Sequence, residues 1–289
     1  MPRATETQIL NSLAAGNVVP PALLNKLLAK VAKDQSKKKG RAATAQTEQD
    51  FIGIYNGLTA PEQQTLRTGI VNYVSDSAGI NGYLRTGAPA TAAAAAASVD
   101  AVFVIYAHYN FDQVRRICYR LQTYGPGVAV PYATAVPAGL PPPPHIVVND
   151  LIRDVAFWST SENRQFVANG VPGAAAGTRY VKFVIIGTSG INIAAHYAPG
   201  MGWGPVPSYS NANEAALDAA KRPGESDVAW KMRLAFKSRP AGQAEILFNR
   251  GLIYRVDAIQ AVGTDFHVRL SVPNPQPGLA GVKNAYTGV

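Results

Sequence analysis

The sequence predicts an α+β protein in which a helical N-terminal half packs on a mostly antiparallel β core of two sheets. In the first 109 residues, apolar side chains recur at helical spacing. After that point, short apolar and aromatic runs bounded by glycine or proline predominate, which is typical of strands. A chain of 289 residues is long enough to bury a core of this kind.

The helical half is predicted to start near Thr47, after a basic arm that covers residues 1–46. Thr59, followed by Pro61 and Glu62, is a typical helix start, with a capping residue, a proline just inside the helix and an acidic first turn. An alanine-rich run favours one further long helix before the strands begin. Helices are predicted over 47–57, 60–75, 77–86 and 92–109.

The second half is predicted to consist of strands separated by turns and long loops. Residues 137–145 contain four consecutive prolines and are expected to be an extended loop. Residues 199–242 are a long segment rich in Gly and Pro, which we interpret as an insertion for partner recognition or as an additional packed subdomain. Strands are predicted over 117–123, 128–136, 154–159, 180–187, 191–197, 243–248, 252–260 and 265–272.

The positive charge of the chain is concentrated in the arm. The chain has a formal net charge of +9, of which residues 1–41 contribute +6. The +3 that remains is small for a groove that tracks a phosphate backbone, so nucleic acid is not an expected partner. Because 47% of the residues are hydrophobic and 16% are charged, the composition also excludes a disordered polyelectrolyte.

No membrane-spanning segment and no Sec signal peptide are expected. Asp100 interrupts the apolar stretch that starts with the alanine run at residue 92. Arg3 and Glu6 are not followed by an apolar core of the length that a signal peptide needs. The expected location is therefore the cytoplasm, or outside the cell after export by a route without a cleavable apolar signal.

The usual catalytic and metal-binding patterns are weak. The one cysteine, Cys118, excludes a disulfide framework and is expected to be a buried thiol on a strand. The four histidines lie far apart, without a partner at metal-ligand spacing, so no metal site is expected. The Gly187–Gly190 segment is predicted to be a hairpin turn, because no helix follows it to bind a phosphate.

Three short segments in a fixed order carry more information. Arg120 lies on a predicted strand directly after the helical half. Ser159-Thr160-Ser161 is a hydroxyl triplet at the end of another strand, directly after two aromatic residues. Gln243 and Glu245 lie two residues apart at the start of a third strand, so their side chains face the same way.

This order resembles that of the mono-ADP-ribosyltransferase toxins and effectors of the Arg/Ser-Thr-Ser/Glu class, in their Q-x-E variant. Tyr73 and the Ile80–Arg85 segment resemble a helical signature of that family, and Gly251–Val256 resembles its segment after the carboxylate. The resemblance covers roughly residues 47–272, and it is carried by the order of five motifs that are each short. It implies an ADP-ribosyltransferase-like fold, with residues 47–289 as a single catalytic domain.

The resemblance implies roles for the charged residues in NAD cleavage. Breaking the nicotinamide–ribose bond generates positive charge on the ribose, which the carboxylate of Glu245 would stabilise. The guanidinium of Arg120 suits the pyrophosphate of NAD. The hydroxyl of Ser159 would orient Glu245 and reach the ribose. Gln243 would position the group that accepts ADP-ribose.

Four further residues complete the expected site. Thr160 and Ser161 would brace the corner at the end of their strand. Leu121 occupies the place where the family often has glycine, so only its backbone would bind nicotinamide. Phe183 is the aromatic residue that we assign to stack on the nicotinamide, and Phe166 and Tyr180 are its alternatives.

Each of these residues also has an interpretation that involves no ligand. A strand arginine is usually a surface ion-pair partner, and Ser159–Ser161 are equally suited to capping a following helix. Two other functions stay open. One is a catalytically inert interaction module with this NAD-binding fold, and the other is a transferase that modifies guanine in nucleic acid.

In families of this kind, a Q-x-E pair goes with acceptors other than arginine. We therefore expect an acceptor side chain of Thr, Asn or Gln on a host protein, with ubiquitin or a Rho-like small GTPase as examples. The resemblance also implies a monomeric, secreted bacterial effector that acts in the host cytosol after non-Sec export, such as type III secretion. The basic arm would serve as its leader for translocation. NAD is the expected co-substrate, and no metal is required.

Overall fold

The structure is a computed structural model, and it describes residues 19–20, 23–24, 48–109, 116–135, 145–162, 164, 174–187, 190–196 and 245–289. The chain divides into two compact units. The first comprises residues 1–114 and 190–245, and the second comprises 115–189 and 246–289. Most of the predicted arm and the whole predicted insertion over 199–242 lie outside the described residues.

The described part of the first unit consists mainly of helices. They are α1 (Glu48–Asn56), α2 (Ala60–Thr86), a 3₁₀ turn (Ala90–Ala92), α3 (Ala93–Tyr109) and a short α4 (Ile193–His196). The start of α2 follows the sequence prediction, because the backbone N–H of Thr59 donates to Oε2 of Glu62 at 2.9 Å and Pro61 lies in the first turn. The strand predicted over 191–197 is wrong beyond Asn192, because the chain turns into α4 there.

A kink in α2 falls where two separate helices were predicted. Asp76 has φ −146° and ψ 58°, outside the helical region, and helical residues lie on both sides of it. Its Oδ1 accepts the backbone N–H of Gly79 at 2.8 Å, so Asp76 caps the second half of α2. Across this kink, the side-chain amide of Asn81 donates to the hydroxyl of Tyr73 at 3.4 Å. Two residues of the helical signature are therefore in contact.

Helices α2 and α3 pack closely within the first unit. The amide of Asn72 donates to the hydroxyl of Ser98 at 3.1 Å, and Gly69 faces the same residue. Asp100 is completely buried in α3. Among the described residues, the stretch Ala90–Tyr109 is the one helix that is long and apolar enough to cross a membrane, although it is also 61% buried within the molecule. Buried core helices meet the same criterion of length and composition.

Tyr106 and His196 form a buried polar pair in the first unit. The tyrosine hydroxyl lies 2.5 Å from Nε2 of the histidine, and the imidazole is completely buried. Burial lowers the pKa of His196 well below its usual value, because the charged imidazolium is poorly solvated there. The pair is therefore a neutral contact between α3 and α4 at physiological pH.

Replacing Gly69 with Ala is expected to lower the free energy of unfolding by about 1–3 kcal/mol. A Cβ atom at this position would lie 2.4 Å from the backbone oxygen of Ser98, so α2 and α3 would have to separate. Gly53→Ala is the matched control, because a Cβ there has nothing within 4 Å, and helix propensity predicts a gain of up to about 1 kcal/mol. Denaturant unfolding measures both changes, and equal shifts of the two variants would contradict the close packing.

The described strands are β1 Ile117–Tyr124, β2 Leu151–Arg153, β3 Trp158–Ser161, β4 Arg179–Ile186, β6 Glu245–Phe248, β7 Ile253–Val262, β8 Asp265–Ser271 and β9 Lys283–Asn284, with β5 (Ile191–Asn192) in the first unit. The strands other than β5 follow one another in the order β6-β3-β1-β4-β8-β7-β2-β9. Their pairings are antiparallel for β1–β3, β1–β4, β2–β7 and β7–β8, and parallel for β4–β8 and β2–β9. Because the described strands are linked into a single order, the expectation of two sheets is not confirmed.

The α+β class and most of the strand positions follow the sequence prediction, with three exceptions besides the one over 191–197. The strand predicted over 128–136 is absent from its described part, 128–135, where Tyr132 makes only an isolated bridge to Ile146, since Pro131 has no N–H to donate to a ladder. The strand predicted over 154–159 begins later, at Trp158, because Asp154 accepts the backbone N–H of Ala156 in a turn. The short strands β2 and β9 were not predicted.

Candidate active site

The Arg120 side chain lies in the middle of the sheet, on a face that is covered by aromatic rings. It belongs to β1 and pairs directly with Phe183 of β4, so the two side chains project from the same face. Its Nη1 donates to the backbone oxygen of Ser159 at 2.7 Å, and its Nη2 donates to the hydroxyl of Tyr286 at 2.9 Å. The centre of the guanidinium lies 5.1 Å from the ring of Trp158. Two hydrogen bonds and the contact with the Trp158 ring therefore fix the orientation of the guanidinium plane.

Trp158 is the centre of the aromatic cluster beneath Arg120. The indole is 1% exposed and stacks on Tyr254, with ring centroids 4.6 Å apart and an interplanar angle of 14°. Its Nε1–H donates to Oδ2 of Asp154 at 3.0 Å, which satisfies the one polar group of the ring. Burial raises the pKa of Tyr254 well above its usual value, so this ring stays neutral. The surface beneath the cation is therefore formed by two stacked aromatic rings.

Phe183 does not present a ring to a ligand. It is completely buried, 5.3 Å from Trp158 and 5.6 Å from Tyr132 between ring centroids. The predicted stacking on nicotinamide is corrected here, because a ring enclosed by two other aromatic rings has no open face. Of the alternatives, Tyr180 is partly buried and Phe166 lies outside the described residues.

The hydroxyl triplet joins two neighbouring strands. The hydroxyl of Thr160 donates to the backbone oxygen of Ile246 in β6 at 2.7 Å, so β3 is tied to β6 by a side chain. Ser161 is buried opposite Tyr119 of β1, and Ser159 is partly buried. The bracing role of Thr160 and Ser161 stays a prediction.

Arg120 and the hydroxyl of Ser159 lie on different faces of the sheet. Because Trp158 shares the face of Arg120, alternation along β3 places the Ser159 side chain on the other face. Alternation along β1 likewise places the side chain of Leu121 away from that of Arg120. The contact between Arg120 and the triplet is thus made through the carbonyl group of Ser159. The sequence pattern did not predict that the Arg120 side chain and the Ser159 hydroxyl lie on different faces.

Glu245 is a buried carboxylate at the start of a strand. It is 5% exposed, it begins β6, and it directly precedes Ile246, the residue that accepts the Thr160 hydroxyl. A carboxylate is rarely this buried unless it is paired or hydrogen-bonded. Gln243 lies outside the described residues, so its predicted position two residues before Glu245 stays a prediction.

The sheet brings the strands of all three motifs together. β6, β3 and β1 are consecutive in the sheet, and they begin with or contain Glu245, the Ser159–Ser161 triplet and Arg120 in that order. In the described part of the chain, no three His, Cys, Asp or Glu side chains are grouped as metal ligands. The strands that carry the triplet and Arg120 therefore follow in the sheet on β6, the strand that begins with Glu245.

Sequence reasoning did not identify Tyr286 as a neighbour of the site. It is 166 positions away from Arg120 along the chain and lies beyond the region covered by the resemblance. The sequence shows Trp158 only as an aromatic residue directly before the triplet, and not as a contact of Arg120. The pattern shows which residues are apolar, but the contact between Arg120 and Tyr286 depends on how β9 joins the sheet.

Comparisons with known proteins give weak structural likenesses. No protein-family model matches the chain, and no curated protein matches its sequence. Among solved structures, the ADP-ribosyltransferase Vis of Vibrio splendidus with a bound inhibitor is 16% identical, covers 94% of each chain and has a TM-score of 0.45.

Two further solved structures have similar values. Exoenzyme S from Pseudomonas aeruginosa, in complex with human 14-3-3 protein beta and bound to carba-NAD, is 14% identical over 88% of this chain and 92% of that one, with a TM-score of 0.42. The type III effector XopAI from Xanthomonas axonopodis pv. citri is 12% identical over 93% and 91%, with a TM-score of 0.39. Likenesses at this level do not assign a family, so the case for a function rests on the residues of this chain.

Proposed function

We propose that this protein is a mono-ADP-ribosyltransferase that transfers ADP-ribose from NAD to a side chain of another protein. The observation that carries the proposal is the adjacency of β6, β3 and β1, the strands of the carboxylate, the hydroxyl triplet and the arginine. These segments are separated by 39 positions or more in the sequence, yet they lie on consecutive strands of one sheet. Chance matches to three short motifs would have no reason to be neighbours.

In this proposal, Glu245 stabilises the positive charge that develops on the ribose. A carboxylate that is 5% exposed interacts with a nearby cation more strongly than it would in water, because little solvent screens it. The bond from Thr160 to Ile246 holds the residue after Glu245, so the backbone at this point is fixed before the substrate arrives. Ser159 belongs to the same triplet, and we assign its hydroxyl to orienting Glu245.

Arg120 is proposed to bind the pyrophosphate of NAD. A guanidinium matches phosphate oxygens in geometry and keeps its charge at every physiological pH. Here its plane is already fixed by Ser159 and Tyr286, so less side-chain entropy would be lost when an anion binds.

The reaction exchanges one bond at the ribose for another. The bond from C1′ to the nicotinamide nitrogen breaks, and its electron pair leaves with the nicotinamide. A nitrogen or oxygen of the acceptor forms the new bond to C1′ and loses a proton to water. We propose that Gln243 hydrogen-bonds the acceptor and that the acceptor is a Thr, Asn or Gln side chain, because an amide has no charge with which to hold a guanidinium.

The biological setting follows from the same proposal. We propose a secreted bacterial effector that modifies a host protein in the host cytosol, with residues 199–242 contributing to recognition of that protein. Exoenzyme S, one of the solved structures with a weak likeness, was crystallised with a human 14-3-3 protein. The acceptor of this chain is expected to be a protein such as ubiquitin or a small GTPase.

Incubation with NAD labelled on its adenylate and with a eukaryotic lysate is expected to label one or a few host proteins. Mass spectrometry of the labelled band should locate ADP-ribose on Thr, Asn or Gln, because Gln243 is suited to those acceptors. Parallel reactions with nuclease-treated lysate and with purified DNA and RNA test the alternative acceptor. Label that is confined to arginine side chains, or to nucleic acid, would contradict the assignment of Gln243.

A further inference from the structure

The segment 283–289 is fixed to the second unit by several backbone and side-chain contacts. Lys283 and Asn284 form β9, which pairs in parallel with Ile152 and Arg153 of β2. The Nζ of Lys283 lies 2.6 Å from a carboxylate oxygen of Asp150. The backbone oxygen of Ala285, the residue that follows β9, accepts a hydrogen bond from the hydroxyl of the buried Tyr132 at 2.9 Å. The segment therefore has a defined position on the sheet.

The backbone of Tyr286 is held by a turn that Asn284 forms. Oδ1 of Asn284 accepts the backbone N–H groups of Tyr286 at 2.8 Å and of Thr287 at 3.1 Å. The backbone of Asn284 also exchanges hydrogen bonds with the end of the segment, donating to the oxygen of Val289 and accepting from the N–H of Gly288. These bonds fix the backbone from which the Tyr286 side chain projects.

The hydroxyl of Tyr286 accepts a hydrogen bond from Nη2 of Arg120 at 2.9 Å. Nη1 of the same guanidinium donates to the oxygen of Ser159 at 2.7 Å. Two anchors on the two terminal nitrogens, together with the Trp158 ring, allow one plane for the cation. Without the tyrosine hydroxyl, the guanidinium would keep one of these two hydrogen bonds and could rotate about it.

We infer that Tyr286 is a positioning residue, whose hydroxyl holds the Arg120 guanidinium in the orientation that binds the pyrophosphate of NAD. This inference rests on the proposed function. It extends the site to a segment that none of the recognised motifs reaches. It also links the Asn284 turn and the β9 pairing to NAD binding, because both determine where the Tyr286 hydroxyl lies.

The test is the kinetics of NAD cleavage by the full-length Tyr286→Phe variant. This change keeps the aromatic ring and removes the hydroxyl. The KM for NAD is expected to rise about tenfold, which is the typical effect of losing one hydrogen bond to a charged group, while kcat stays within about twofold. Direct titration with NAD should show the same loss of affinity. A role in packing alone would change thermal stability and leave the KM for NAD unchanged.

Two further variants separate this effect from general damage. Tyr109→Phe is the matched control in the first unit, because it also removes a tyrosine hydroxyl that bonds a charged side chain, here Glu62 at 2.7 Å. Its KM for NAD should equal that of the wild type. Asn284→Ala keeps the Tyr286 hydroxyl but removes the turn, so it should raise the KM in the same direction. This second variant tests the inference even where Tyr286→Phe folds poorly.

A double variant shows whether Tyr286 acts through Arg120. Arg120→Lys should weaken NAD binding by itself, and adding Tyr286→Phe to it should have no further effect, because the bond is already lost. Additive effects of the two changes would overturn the inference.

The remaining outcomes distinguish the inference from the function on which it rests. If the wild type cleaves NAD and Arg120→Lys weakens its binding, but Tyr286→Phe behaves like the wild type, the inference fails and the proposed function stands. If Arg120→Lys leaves the KM for NAD unchanged while Glu245 remains essential, the inference fails together with the role of Arg120. If the wild type neither binds nor cleaves NAD, both are wrong.

Discussion

Replacing Glu245 with Gln should lower the turnover number for nicotinamide release from NAD by about 10²–10³-fold. The change keeps the size of the side chain and removes its charge. In a position that is only 5% exposed, water cannot substitute for the lost carboxylate, so the positive charge on the ribose is left without its partner. Because this charge develops only as the bond breaks, the effect should fall on kcat, with the KM for NAD changed by less than about threefold.

The control for this variant is Glu162→Gln, which makes the same chemical change directly after the hydroxyl triplet. Glu162 is exposed, and glutamine in its place keeps an oxygen that can accept from the Arg116 guanidinium, which lies 2.6 Å from the carboxylate. Its turnover number should match the wild type within about twofold. If Glu245→Gln retains full turnover, or if both glutamate variants lose it equally, Glu245 has no specific role in catalysis.

Replacing Phe183 with Ala should lower the free energy of unfolding by about 3–5 kcal/mol. The ring is completely buried between Trp158 and Tyr132, so its removal leaves a cavity in the core of the second unit. The cavity also lies beside Arg120 on the same face of the sheet, since Arg120 and Phe183 are directly paired. Equilibrium unfolding in urea, followed by circular dichroism, measures the loss.

Phe183→Leu separates packing from ligand stacking. Leucine fills most of the volume, so the loss of stability should be about 1.5 kcal/mol or less. The affinity for NAD should then be unchanged, because the structure gives Phe183 no open face for the nicotinamide. If Phe183→Leu keeps its stability but binds NAD several-fold more weakly, Phe183 does stack on the nicotinamide, and the conclusion drawn from its burial is wrong.

The helices and the class of the fold were predictable from local signals. Thr59 and Glu62 form the hydrogen bond that a helix start of this type requires, and the break between the two predicted helices occurs at Asp76. Both features depend on residues within a few positions of one another. The strands that carry Arg120 and Glu245 were predictable for the same reason, since short apolar runs mark them.

The contacts between strands were not predictable in this way. Phe183 looks like other aromatic residues on strands, and its burial depends on Trp158 and Tyr132, which come from distant parts of the chain. The strand expected over 128–136 has the right composition, but it has no partner strand in its described part, where Tyr132 makes only an isolated bridge. Tyr286 reaches Arg120 only because β9 is added to the sheet beside β2.

The resemblance supplied what the residue pattern alone left open. It proposed that three separated motifs form one site, and the structure has their strands side by side. The order of motifs did not predict that Arg120 would contact the triplet through a backbone carbonyl group. That detail depends on the alternation of side chains along β1 and β3, which a difference of one residue in register would reverse.

The most direct test of the account is the transfer of ADP-ribose from labelled NAD to protein in a eukaryotic lysate, with wild type and Glu245→Gln compared at equal concentration. The wild type should label a host protein and release one nicotinamide for each ADP-ribose transferred. Glu245→Gln should give about 10²–10³-fold less label in the same time. No transfer by the wild type, or equal transfer by the two proteins, would contradict the claim that this chain is an ADP-ribosyltransferase acting through Glu245.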